Sequence, residues 1–110
     1  MANIPKETEQ KIMQLQLLEQ NLQNFINQKQ NFQSQLIETE NALKEIENSK
    51  DCYKIIGNIM ISAPKEKLKK DLTSQKEIVE LRIKNLEKQE SSIKEKAQEL
   101  QTSVMKELKK

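Results

Sequence analysis

The sequence has no histidine and no tryptophan, and it holds one cysteine, one glycine and two prolines in 110 residues. Its ring side chains are confined to Phe25, Phe32 and Tyr53. So few aromatic residues and turn formers argue against a globular sandwich or an α/β domain. Charged residues make up 33% of the chain and apolar residues 35%. Because the apolar residues are spread along the whole chain, this composition favours long helices that meet along a narrow strip.

The same absences exclude several kinds of site. Without histidine there is no Cys–His catalytic pair, and Cys52 has no second cysteine with which to form an intrachain disulfide. The sequence also lacks a glycine-rich phosphate loop and any cluster of metal-ligand residues. We therefore expect no enzyme activity, no metal and no cofactor, and we expect Cys52 to be a small packed residue.

Charge and hydropathy bear on the partners and the location. The chain has 19 basic and 17 acidic residues, a net charge of +2, which gives no case for nucleic acid or membrane as a partner. No apolar run approaches the roughly 18 residues of a membrane span, and residues 1–10 contain no apolar signal region. A lone cysteine also fits a reducing compartment. We expect a soluble, cytoplasmic protein.

A coiled-coil pattern runs through the first third of the chain. Pro5 is suited to a first helical turn, and the spacing of apolar residues alternates between three and four from Leu15 onward. The pattern predicts a helix over 5–47 that ends in a turn after Glu47. The seam, meaning positions a and d of the heptad, consists of Leu15, Leu22, Lys29, Leu36 and Leu43 at a, and Leu18, Phe25, Phe32, Thr39 and Ile46 at d.

The sequence predicts a β-hairpin over residues 52–62. Two β-branched runs flank Gly57-Asn58, a pair that suits a two-residue turn. The predicted register sets Ile56 opposite Ile59 and continues outward through the pairs Ile55–Met60, Lys54–Ile61 and Tyr53–Ser62. Both faces are then apolar, with Ile56, Ile59 and Ile61 on one and Tyr53, Ile55 and Met60 on the other. Since a lone hairpin is marginal in water, we interpret this segment as an oligomerisation module whose copies join edge to edge.

A second helix is predicted over 64–110, again opened by a proline. Its seam has Lys76, Ile83, Glu90, Ala97 and Val104 at a, and Leu72, Val79, Leu86, Ile93 and Leu100 at d. If the two helices fold back on each other, Lys29 comes close to Glu90, and we predict that the two meet and fix the register. The alternative is that each side chain reaches water separately.

Two further groups of residues admit two interpretations each. The lysines at 65, 67, 69 and 70 are interrupted by acidic residues and lack interleaved aromatics, so a solvated helix face is favoured over a phosphate-binding stripe. Apolar residues outside the seam gather near the two chain ends: Ile4, Ile12, Met13, Leu17, Met105 and Leu108. They either tighten fraying helix ends or contact non-native apolar segments, for which flexible methionines are well suited.

The chain resembles the β-type subunits of prefoldin, in their archaeal form, across essentially its full length. The resemblance rests on Asn3-Ile4-Pro5 before an amide-rich helix, Glu45-Ile46 before the turn, the hairpin start Tyr53-Lys54-Ile55-Ile56-Gly57, and the helix restart at Lys65-Glu66-Lys67. A Tyr-Lys-x-x-Gly hairpin between two helices of nearly equal length is the most specific of these features. One hairpin, where α-type subunits have two, places the chain in the β class.

The resemblance implies a mainly α fold and a single domain over 1–110: a long antiparallel coiled-coil hairpin of two helices with one β-hairpin between them, assembling into an oligomeric β-barrel platform. It implies a hexamer of two α-type and four β-type subunits. Such complexes are ATP-independent holdases that capture unfolded polypeptides at the coiled-coil tips and deliver them to a group II chaperonin. A structural coiled-coil scaffold or tether without client binding is the alternative.

Two sets of site residues follow from the resemblance by position. The client-binding tips would be Ile4, Ile12, Met13, Leu17, Val104, Met105 and Leu108. The platform would be formed by Tyr53, Ile55, Ile56, Ile59, Met60 and Ile61.

Overall fold

The computed structural model describes residues 4–109, in the order α1 (Lys6–Glu47), β1 (Cys52–Ile56), β2 (Ile59–Ala63) and α2 (Lys65–Leu108). The predicted pair of long helices with one β-hairpin between them is confirmed. Asn3 of the resemblance and the last residue of the predicted second helix lie outside the described residues. No helix within residues 4–109 is long and apolar enough to cross a membrane.

Each helix begins one residue after a proline, later by one than predicted. The carbonyl of Pro5 accepts a hydrogen bond from the N–H of Glu9 at 3.0 Å, and the carbonyl of Pro64 accepts one from Leu68 at 3.1 Å. Both prolines are therefore N-cap residues rather than first helical residues. This position also tolerates a residue without an N–H, because only its carbonyl takes part in the first helical bond.

The turn after α1 forms where the heptad pattern stops. The N–H groups of Asn48 and Ser49 donate to the carbonyls of Glu45 and Ile46 at 3.2 and 3.1 Å. The Ser49 hydroxyl adds a bond to the Glu45 carbonyl at 2.8 Å. These bonds satisfy carbonyls that the end of a helix leaves without an intrahelical partner.

The hairpin has the predicted antiparallel register, from Ile56 opposite Ile59 outward to Tyr53 opposite Ser62, and it extends by one further pair, Cys52 with Ala63. Gly57 has a φ of 61°, while Asn58 keeps a negative φ. Positive φ at only the first central residue fits a type II′ turn, whose twist matches that of paired strands.

The chain divides into two compact units. The central unit comprises residues 30–84, and the terminal unit comprises residues 4–29 together with 85–109. In each unit a segment of α1 lies antiparallel to a segment of α2, and all the predicted seam positions are buried or half-buried. Val79 and Ile83 are buried in the central unit, Leu86 and Val104 in the terminal unit. The predicted seam is thus confirmed in both, and each unit has a strip of apolar contacts rather than a thick core.

Candidate functional site: hairpin faces and helix ends

The hairpin presents apolar side chains on both faces. All six predicted platform residues are exposed, from 45% at Ile61 to 69% at Ile55. Cross-strand partners share a face, so the register places Ile56, Ile59 and Ile61 together and Tyr53, Ile55 and Met60 together. Nothing else in the central unit covers either face.

Burial of these residues against partner chains would stabilise an assembly. Fully burying one isoleucine side chain contributes about 1.5–3 kcal/mol, and four isoleucines stand exposed here. The two strands form a sheet of their own, so each also has an edge without a strand partner. Such edges add strands from other chains readily. The arrangement is therefore suited to association through both faces and edges.

Cys52 lies at the start of β1 and is buried, as predicted for a small packed residue. It opens the strand next to the turn that follows α1. This places it at the foot of the hairpin.

The apolar residues at the helix ends fall into two groups in the terminal unit. Five of the seven predicted tip residues are exposed, namely Ile4, Met13, Leu17, Met105 and Leu108, with exposed fractions from 43% to 68%. Ile12 is half-buried, and Val104 is buried at 7%. Val104 occupies a seam position and packs inside the unit, so its side chain is not part of the outer surface.

An open groove lies beside the exposed residues. It has a volume of about 490 Å³, and its lining includes three leucines, Leu17, Leu18 and Leu100, together with Gln14, Lys96, Glu99 and Ser103. A mainly apolar lining with a few polar groups is a feature that ligand sites share with many protein grooves. Leu17 thus contributes both to the exposed surface and to this groove.

Four polar side chains form a network at the same helix ends. The carboxylate of Glu107 accepts hydrogen bonds from the Thr8 hydroxyl and from the Lys11 ammonium group, the latter at 2.5 Å. Lys11 also donates to the Ser103 hydroxyl at 2.8 Å. The hydrogen bond to Glu107 raises the pKa of Lys11 above its ordinary value. We call Thr8, Lys11, Ser103 and Glu107 the end network.

The predicted meeting of Lys29 and Glu90 is confirmed. The Lys29 ammonium group donates to the Glu90 carboxylate at 2.9 Å, and both side chains are largely shielded from solvent. This bond lowers the pKa of Glu90 below its ordinary value. Separate exposure of the two charges to water, the alternative, does not occur.

Two lysines of the basic run bind the end of α1. Lys65 donates to the backbone carbonyl of Glu47 at 3.1 Å, and Lys69 forms an ion pair with the Glu47 carboxylate. The hydrogen bond between them lowers the pKa of Glu47 and raises that of Lys69. Cations are favoured at the C-terminal end of a helix, where the carbonyls carry partial negative charge. The run therefore has a structural role that its spacing alone did not indicate.

Three further exposed apolar residues lie on the helices of the central unit: Ile37, Ile78 and Leu81, with exposed fractions of 59%, 51% and 59%. They lie outside the a and d positions, and sequence reasoning did not single them out. Their spacing relative to the seam is the signal that would have found them. Single exposed apolar residues are ordinary, so we assign them no site.

Comparison with known proteins places these features in a family. A family model described as prefoldin subunit matches residues 9–110. The chain is 38% identical over 104 residues to prefoldin subunit beta of Archaeoglobus fulgidus, covering 92% of this chain and 90% of that one. It is 39% identical over 103 residues to prefoldin subunit beta of Pyrococcus furiosus, covering 91% and 88%.

A solved structure agrees with these matches. The crystal structure of the prefoldin beta subunit from Thermococcus strain KS-1 superposes with a TM-score of 0.89 at 34% identity and covers 96% of both chains. The match therefore extends over the helices and the hairpin alike. The chain belongs to the prefoldin family as a beta-type subunit, and that family consists of chaperones rather than enzymes.

Proposed function

We propose that the chain is one subunit of an ATP-independent holdase, a hexamer of two α-type and four β-type subunits, which captures unfolded polypeptides and delivers them to a group II chaperonin. The observation that carries the proposal is that the chain exposes apolar side chains at two places, on the hairpin and at the helix ends, and that these two surfaces suit different kinds of partner. The hairpin faces require partners of fixed shape, and the helix ends present flexible apolar side chains.

Assembly is supported by the hairpin. Its six platform residues are exposed on two faces, and both strands have an edge without a strand partner. Hairpins from neighbouring subunits joined into a closed barrel would bury one face, pair the edges and remove the tendency to aggregate. The resemblance implies that these partners include α-type subunits.

Client capture is supported by the exposed residues of the terminal unit. Met13 and Met105 are flexible and polarizable, so they can adapt to many apolar segments of a non-native chain. Leu17 and the groove of Leu18 and Leu100 add a contiguous apolar surface. Binding of this kind needs no nucleotide, because affinity comes from apolar burial alone.

Matched surface variants test capture. One variant carries Met13→Ser, Leu17→Ser and Met105→Ser; the control carries Ile37→Ser, Ile78→Ser and Leu81→Ser, which are similarly exposed but lie in the central unit. Each is assembled with an α-type partner, and light scattering follows a denatured client diluted into the complex. We expect about tenfold weaker suppression of aggregation by the first variant, since three anchor side chains are lost.

The control variant should suppress aggregation as well as the unmodified complex. Equal activity of all three complexes would contradict capture by the helix ends and favour the scaffold alternative. Delivery is tested separately: addition of a group II chaperonin should release fluorescent client from the complex, and retention of the client would contradict that step. Cytoplasmic location stays a prediction.

A further inference from the structure

At the helix ends, most seam positions are occupied by polar residues. Continued outward by one heptad, the register places Thr8 at a and Lys11 at d of α1, and Glu107 at d of α2. Polar side chains therefore occupy inner positions of this layer, while Met13, Leu17 and Met105 are exposed. Elsewhere in the seam these positions are mainly apolar. The last layer has polar groups inside and apolar groups outside.

The polar groups at these inner positions are satisfied by hydrogen bonds. Thr8 is only 1% exposed, and its hydroxyl and the Lys11 ammonium group donate to different oxygens of the Glu107 carboxylate. No buried side-chain nitrogen or oxygen in residues 4–109 lacks a hydrogen-bond partner. A polar layer is stabilising only when it is satisfied in this way. It closes the two helix ends without consuming the apolar side chains beside them.

The end network spans the turn of α2 that carries Val104. Lys11 contacts Ser103 on one side of Val104 and Glu107 on the other. Val104 itself is buried at 7%, although it belongs to the seven residues that the family resemblance places at the client-binding tip. Its concealment therefore depends on helix ends that stay closed.

We infer that the end network is an electrostatic latch that conceals Val104, and that opening the latch adds Val104 to the apolar surface offered to a non-native chain. The inference rests on the proposed function for the client and on the hydrogen bonds above for the latch. An ion pair with one quarter of each side chain exposed is accessible to salt, unlike a fully buried pair. Latch opening should accordingly respond to ionic strength.

Thiol labelling of a Val104→Cys chain measures opening directly. The only native cysteine, Cys52, is buried, and the chain without the substitution supplies its background rate. Raising salt from about 0.1 M to about 1 M shortens the Debye length from about 10 Å to about 3 Å. We expect the labelling rate to rise severalfold over this range.

Charge variants of the Val104→Cys chain test whether electrostatic attraction between residues 11 and 107 slows labelling. Lys11→Glu places two carboxylates together, so labelling should rise about tenfold at low salt and then fall as salt screens the repulsion. The exchange Lys11→Glu with Glu107→Lys should restore slow labelling and the original salt response. Thr8→Val with Lys11→Leu and Glu107→Leu should keep the thiol protected at every salt concentration, because an apolar seam replaces the latch and no buried hydroxyl loses its acceptor.

Labelling rates that are equal in the Val104→Cys chains with and without Lys11→Glu would overturn the latch. Hydrogen exchange of residues 100–108 provides a second readout that needs no introduced cysteine. Client capture by the assembled Lys11→Glu complex is measured alongside, and we expect it to increase. If labelling follows the predicted pattern while client capture is unchanged, the latch is supported. The inference that the latch contributes to client binding would then be wrong.

Discussion

Charged residues inside the seam are paired wherever they occur in residues 4–109. Lys11 pairs with Glu107, Lys29 with Glu90, and Lys76 lies 4.0 Å from Glu80 one turn along its own helix. A polar group in a coiled-coil seam costs stability, but it penalises every alignment that would leave it unpaired. The two pairs that join the helices, Lys11–Glu107 and Lys29–Glu90, therefore favour the observed alignment of α1 and α2 in the terminal unit.

The Lys29–Glu90 pair predicts a specific loss of stability in acid. The hydrogen bond to Lys29 holds the pKa of Glu90 below its ordinary value. A carboxylate with a lowered pKa in the folded state stabilises the fold above the unfolded pKa of about 4.3, and this contribution disappears as pH falls through the folded pKa. Glu90→Gln should therefore be less stable than the unmodified chain at neutral pH.

Chemical unfolding at a series of pH values measures this difference. The gap in free energy of unfolding between the unmodified chain and Glu90→Gln should shrink as pH falls below about 4.3. Glu99→Gln, on the margin of the terminal groove, serves as a control at which no seam contact is lost. A gap that stays constant down to acid pH would contradict the assignment.

At the scale of elements, the hairpin and the seam could be predicted because local features of the sequence determine both. Gly57-Asn58 between β-branched runs set the register, and three-four spacing set the seam. Lys29 and Glu90 could be paired because counting along a fixed register brings their backbones together. Simple counting was sufficient wherever backbone geometry alone decides the contact.

Other contacts made by long flexible side chains were not predicted. Lys65 reaches the Glu47 carbonyl and Lys11 reaches both Ser103 and Glu107, choices that depend on rotamers rather than on spacing. The heptad did carry part of the signal, since its continuation puts Thr8, Lys11 and Glu107 in the seam. Val104 was predicted both as a seam residue and as a client-binding tip residue, and its burial at 7% agrees with the seam position.

The hairpin turn predicts a conformational cost without a steric clash. Gly57 has a φ of 61°, and a Cβ added there would meet no atom within 4 Å. Gly57→Ala should therefore destabilise the assembled complex only through backbone strain, by about 1–3 kcal/mol per subunit, because the first central residue of a type II′ turn has a backbone conformation that L-residues rarely adopt. Asn58→Ala, at negative φ, is the matched control and should cost much less.

Thermal unfolding of complexes assembled with each variant checks this cost. A lower melting temperature for Gly57→Ala than for Asn58→Ala is the expected order. Equal melting temperatures would mean that the turn is not held at positive φ in the assembly.

At the scale of the whole molecule, the proposed assembly and the proposed client capture both depend on apolar surface that one chain leaves uncovered. Each unit has a narrow seam, and most of the large apolar side chains exposed in residues 4–109 lie on the hairpin and at the helix ends. We expect the hairpin to bind permanent partners, because the two-stranded sheet is stable only when its two edges are paired and at least one of its faces is covered. The helix ends suit transient partners because their exposed residues are fewer and include flexible methionines.

The most direct test of the central claim is the mass of the chain in solution with an α-type partner, measured by native mass spectrometry at near-physiological salt. We predict a complex of two α-type and four β-type subunits, and we predict that Ile59→Asp, which puts a charge on one hairpin face, prevents its formation. A chain that stays at its monomer mass of 12.9 kDa with the partner present would contradict the account.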